Sequence, residues 1–70
     1  MRAPIVVEII SMIQDYIRQN NGDGPTTIHV TRGDEGRLAA TLPIGSDVRK
    51  HFEKIDGRTV VWDAEVRHCE

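Results

Sequence analysis

This sequence has one cysteine, three aromatic residues and no long uninterrupted apolar run. The single Cys69 excludes a disulfide within the chain, and a lone thiol is typical of proteins of a reducing compartment. Three aromatic rings are too few for the stacking platform on which single-stranded nucleic acid is bound. The apolar stretch near the N-terminus is broken at Glu8 and has no small-residue cleavage site after it, so we expect neither a signal peptide nor a membrane span. The absences together predict a cytoplasmic protein.

An excess of charge of either sign is also missing. Nine Lys and Arg residues stand against eleven Asp and Glu residues, which gives a formal net charge of −2 and no electrostatic footprint for nucleic acid. The 70 residues suffice for a single domain over residues 1–70. A domain of this size buries only about 60% of the surface of its unfolded chain, so it often depends on a partner subunit.

The first element that the sequence predicts is a helix over residues 4–20. Apolar residues recur there at helical spacing, Pro4 suits the first turn, and Asn-Asn-Gly at 20–22 supplies a left-handed stop. The apolar side exceeds the usual stripe of about 100°. Two interpretations follow: a helix covered by a small sheet, or a helix that also packs on another subunit. The interface candidates are Val6, Ile10, Ile13, Ile17 and, because interfaces are enriched in tryptophan, Trp62.

Two segments read as strands. Residues 26–31 alternate between apolar and polar side chains, and residues 58–66 place Val60 and Trp62 on one face. The tail, residues 67–70, has no pattern and is expected to fray.

Residues 33–42 allow a hairpin or a helix. The glycines of 33–36 suit a hairpin turn, whereas Thr31 and Asp34 have the spacing of a helix cap. The hairpin is favoured because a helix would carry Gly36, at a cost of about 1 kcal/mol, and would end before Pro43.

Residues 46–57 also allow two interpretations. A helix capped by Ser46 would align Val48 with Phe52 and end at Gly57, whereas the alternative makes residues 52–55 a strand that enters a tight turn. The helix is favoured. The sum is an α+β domain of order α-β-β-α-β, with a three-stranded sheet and helices packed on it. The alternative order is α-β-α-α-β, with residues 34–42 helical.

The residues that carry chemistry form no recognisable motif. His29, His51 and His68 lack the spacing of metal ligands, and no phosphate loop or nucleophile elbow is present. We therefore expect no metal, no cofactor and no small-molecule ligand. The best catalytic set is His29 with Asp63 and Glu65, two carboxylates about 7 Å apart on one strand face. This catalytic set is not favoured, because exposed acidic residues on the outer face of a strand usually serve only to keep that face in contact with water.

A second candidate surface is basic. Arg49, Lys50 and Lys54 form a short strip on the second predicted helix, where they would face phosphate groups. Acidic residues intersperse with them, so nucleic-acid binding is only the alternative function.

The runs Ile-His-Val-Thr at 28–31 and Ile-Asp-Gly-Arg-Thr-Val-Val-Trp-Asp at 55–63, with Leu42 and Phe52 between them, carry one likeness. They resemble small uncharacterised proteins encoded by phages and prophages, which end in a G-x-x-V-V-x-D segment. The resemblance covers residues 28–63, transfers no catalytic residue and favours the helical alternative for 34–42. It implies a phage or bacterial accessory protein that acts by contact. We accordingly expect a non-enzymatic protein-interaction module whose partner is a protein, in the first instance a second copy of itself.

Overall fold

The computed structural model of the protein describes residues 4–70. The helix that the apolar periodicity predicts is confirmed as α1 (Ile5–Gln19). Its buried residues are Ile5, Ile9 and Ile13. Asn21 and Gly22 have φ angles of 55° and 94°, and the Gly22 amide donates to the Ile17 carbonyl at 2.9 Å. The predicted left-handed stop therefore ends the helix.

Two predicted strands, β1 (Thr27–Thr31) and β3 (Arg58–Ala64), pair in parallel. Ile28 lies beside Val60 on the buried face, and His29 lies beside Val61 on the opposite face. Parallel pairing requires a long connection. Here that connection contains two helices and a short strand.

The hairpin predicted around residues 33–36 is wrong, because β1 runs directly into a helix, α2 (Arg32–Ala39). The Asp34 amide donates to Thr31 Oγ1 at 3.1 Å, and the Thr31 amide donates to Asp34 Oδ2 at 3.2 Å. This reciprocal cap and the burial of Leu38 offset the glycine at position 36. The helical alternative is thus confirmed over 32–39, and residues 40–42 form turns.

The helix predicted over 46–57 is confirmed only in α3 (Val48–His51). Its cap is Asp47, not Ser46: the Lys50 amide donates to Asp47 Oδ1 at 3.2 Å. A strand, β2 (Lys54–Ile55), then pairs antiparallel with β3 through a tight turn. Asp56 and Gly57 have φ angles of 53° and 76°, the two left-handed residues that such a turn needs. The alternative prediction of a strand over residues 52–55 is therefore confirmed for its last two residues, Lys54 and Ile55.

The tail is not frayed, because His68–Cys69 forms a strand, β4, antiparallel to β1. The Glu70 amide donates to the Thr27 carbonyl at 3.0 Å, and the Thr27 amide donates to the Glu70 carbonyl at 3.1 Å. The sheet consequently has four strands rather than three, in the order β2-β3-β1-β4.

One core lies between the helices and one face of the sheet. Its buried apolar members are Ile5, Ile9, Ile13, Ile28, Val30, Leu38, Ile55 and Val60. The opposite face of the sheet is open to solvent at Thr59, Val61 and His68. Within residues 4–70, no helix combines the length and the apolar character needed to cross a membrane.

Candidate functional site

One side of α1 keeps apolar surface that the core does not cover. Val7 is 51% exposed, and Val6, Ile10 and Ile17 are half-buried. Val6 and Ile10 lie one turn apart, and Ile17 follows two turns after Ile10, so these residues share one side of the helix. We call Val6, Val7, Ile10 and Ile17 the apolar flank.

The other two interface candidates lie elsewhere. Ile13 is 1% exposed and belongs to the core, so its apolar surface is used within the chain. Trp62 is half-buried against the core, and the Arg49 guanidinium lies over its ring, 5.6 Å from the centroid. The apolar flank is therefore narrower than the sequence predicts.

The carboxylate pair predicted on the outer face of the last strand does not form. The register with β1 shifts before Ala64, and Asp63 has a φ of 69°, as in a β-bulge. The bulge turns the Asp63 carboxylate toward Arg49, at 3.0 Å, and Arg32, at 3.3 Å. The hydrogen bond from Arg49 lowers the pKa of Asp63. Glu65 lies in an exposed bend beyond the strand, so the two acids face different surroundings.

The basic strip predicted on the second helix is also dispersed. Arg49 lies 2.9 Å from Glu35 and 3.0 Å from Asp63, and these hydrogen bonds raise the pKa of its guanidinium. Lys54 is on β2 rather than on α3. Two carboxylates already neutralise the charge of Arg49. The strip should therefore attract phosphate groups less strongly than its sequence suggests.

A half-buried ion cluster joins α1, α2 and the C-terminal segment. Glu8 accepts hydrogen bonds from Arg37, at 3.1 Å, and from Arg67, at 3.2 Å. Arg67 Nη1 lies 3.7 Å from the buried Asp34 carboxylate. Arg37 first, and then Arg67, hold the pKa of Glu8 at about 2, against desolvation.

This cluster predicts a stability that depends on acid pH. The folded-state pKa of Glu8 lies below its ordinary value of 4.5, so its contribution is complete above that pH and is lost as the pH falls toward 2. Glu8→Gln should lower stability at pH 7 and remove the uptake of about one proton on unfolding below pH 4.5. Urea midpoints measured from pH 7 to pH 2 check this. Glu65→Gln, at an exposed acid, is the control and should follow the parent curve.

The pairing of β4 with β1 builds a second cluster, on the open face of the sheet. His68 lies opposite His29, with the ring centroids 4.3 Å apart and the planes inclined by 4°. Glu70 follows two residues later on the same face. Its carboxylate lies 3.0 Å from His29 Nε2 and 3.7 Å from His68 Nε2. We call His29, His68 and Glu70 the histidine cluster.

Donor atoms of the histidine cluster all lie within 4.8 Å of one another. Two imidazoles and a carboxylate are the ligands of many divalent transition-metal sites. The spacing of the histidines carries no sign of this cluster, because His29 and Glu70 are 41 positions apart in the chain and meet only when β4 pairs with β1. The alternation of His68 with Glu70 was the one available signal. His51 is apart from the cluster, beside Phe52.

No family model, curated protein or solved structure matches this chain. Function is therefore inferred from the surfaces of the chain itself. Arg49 and Asp63 satisfy each other within the domain, and Ile13 is buried. In the apolar flank, Val6 and Ile17 also pack against the core, whereas Val7 is 51% exposed. The apolar flank and the histidine cluster are the candidate functional surfaces.

Proposed function

We propose that this protein is a small non-enzymatic interaction module that self-associates through the apolar flank of α1. The observation that carries the proposal is Val7, a valine in the first turn of α1 whose side chain is 51% exposed. A β-branched residue forms helices less well than alanine, and at this exposure it gains little from the core. Contact with another apolar surface would bury the part of Val7 that is exposed in the monomer.

The composition of the flank supports a second copy as the partner. Gln14 continues the same side of the helix, and none of the five side chains there is charged. Asp15 and Arg18 of the same helix are paired with each other. Two flanks can therefore meet about a twofold axis without removing an unpaired charge from water.

The length of the helix limits the strength of this contact. Fifteen residues of α1 span about 22 Å, and one side of such a helix covers less than the roughly 800 Å² per partner of a standard stable interface. We therefore propose a dimer that dissociates on dilution in the micromolar range. The resemblance of residues 28–63 to phage-encoded proteins suggests an accessory role through such contacts.

Adjacent residues of α1 allow a matched test of the interface. Ile10→Glu places a carboxylate in the flank, whereas Ser11→Glu places it on the exposed side of the same helix. We expect Ile10→Glu to weaken dimerisation at least ~10-fold, because the charge would be buried without a partner. Ser11→Glu should behave as the parent. Sedimentation velocity over a concentration series measures both.

Circular dichroism of the two variants completes the design. Both should keep the helical signal of the parent, because Ile10 is only half-buried. Equal weakening by Ser11→Glu would point to net charge rather than to the flank as the cause. Unfolding of Ile10→Glu would place the flank in the core and contradict the proposal.

A further inference from the structure

The histidine cluster lies on the sheet face opposite α1, so it is separate from the proposed dimer interface. Regular strand geometry creates it: His29 and His68 are direct cross-strand neighbours, and Glu70 shares their face by alternation. We propose that His29, His68 and Glu70 bind a divalent transition-metal ion of the Zn²⁺ type. This assigns the chain a metal-binding property that is independent of self-association.

The donor set selects the class of ion. Imidazole nitrogens with one carboxylate suit Zn²⁺ and its neighbours, whereas Ca²⁺ and Mg²⁺ prefer oxygen ligands throughout. Cys69 stands between two of the ligands in sequence. However, it pairs with Ile28, and its side chain packs against the core on the other face. The thiol is therefore not part of the proposed ligand set.

A backbone contact orients one of the two imidazoles. His68 Nδ1 lies 2.8 Å from the Val66 carbonyl oxygen. A carbonyl can only accept, so Nδ1 carries the proton and the neutral ring presents the lone pair of Nε2. Metal-binding histidines are commonly fixed by such a contact from the other ring nitrogen.

The stacked rings define the movement that binding requires. Each lone pair lies in its own ring plane, and the planes are inclined by only 4°, so an ion held by both Nε2 atoms needs one ring to tilt. The Glu70 carboxylate can only accept, so its contact with His29 Nε2 places a proton on that nitrogen, and binding must release this proton to solvent or move it to Nδ1. The side chain of His68 is 47% exposed, against 19% for His29. His68 therefore has more room to tilt, and a tilt about its Nδ1 contact with the Val66 carbonyl keeps that contact in place. Three ligands on an open face leave the remaining coordination position to water.

The test titrates the untagged full chain, freed of metal by a chelator, with zinc chloride in a calorimeter. We expect one ion per chain, with affinity reduced about 10-fold or more in His29→Thr, His68→Ala and Glu70→Gln. Threonine at position 29 keeps a residue that favours the strand. His51→Ala and Cys69→Ser are the controls and should bind zinc as the parent does.

A second readout identifies the ligating atoms. On zinc addition, the imidazole ¹⁵N resonances of His29 and His68 should report coordination through Nε2, and those of His51 should not move. Ile10→Glu should bind zinc normally, so loss of the dimer and loss of the site are distinguishable. Three results would overturn the proposal: no saturable binding by the parent, equal loss in His51→Ala or Cys69→Ser, or unchanged affinity in the cluster variants.

Discussion

Ile9→Ala should leave much of the chain unfolded at 25 °C. Ile9 is 0% exposed at the centre of the buried stripe of α1, within the single core cluster. Truncation of a fully buried isoleucine costs about 2–5 kcal/mol, through lost transfer energy and the cavity that remains. A core of this size rarely supplies more than about 3–5 kcal/mol of net stability. Urea unfolding followed by circular dichroism measures the loss.

Val7→Ala is the matched control for this substitution. It removes apolar atoms from the same helix two residues away, but from a side chain that is half exposed. We expect a change in unfolding free energy within about 0.5 kcal/mol at protein concentrations that keep the chain monomeric. Similar losses for both substitutions would mean that α1 does not bury the stripe that contains Ile9.

Removal of residues 68–70 should destabilise the domain by about 2–4 kcal/mol. It deletes three backbone hydrogen bonds that join Glu70 to Thr26 and Thr27, at 2.9, 3.1 and 3.0 Å, each worth about 0.5–1.5 kcal/mol net. It also removes Cys69, which packs against the core. The urea midpoint of the shortened chain should be clearly lower than that of the parent.

His68→Ala separates the backbone of β4 from its side chain. It keeps the hydrogen bonds to β1 and removes only an exposed ring, so its midpoint should lie close to that of the parent. If the shortened chain were as stable as the parent, residues 68–70 would be a frayed tail, as the sequence pattern predicts.

Periodicity was sufficient where an element buries one continuous face. The helix around Ile9 and the strand around Ile28 follow directly from spacing, because burial and period coincide there. The order of the elements between residues 32 and 57 could not be predicted from the spacing of apolar residues. The apolar residues of 33–42 fit both the period of a strand and that of a helix. The reciprocal cap between Thr31 and Asp34 favours the helix.

The pairing of distant strands was beyond the sequence pattern. A strand as short as His68–Cys69 carries too few residues to show alternation, and its position depends on β1. The bulge at Asp63 likewise reverses the face that simple alternation assigns to its carboxylate. The histidine cluster and the pairing of Asp63 with Arg49 both depend on these two features, so neither could be predicted.

The most direct test of the central claim is the mass of the parent chain in solution, by light scattering over a concentration series, once with a chelator and once with zinc. We predict a weight-average mass that rises from the monomer value of 7.9 kDa toward that of a dimer, equally in both conditions. The apolar flank is on α1 and the histidine cluster is on the opposite face of the sheet, so zinc should not be required. A mass that stays at 7.9 kDa at every concentration would contradict self-association through the apolar flank.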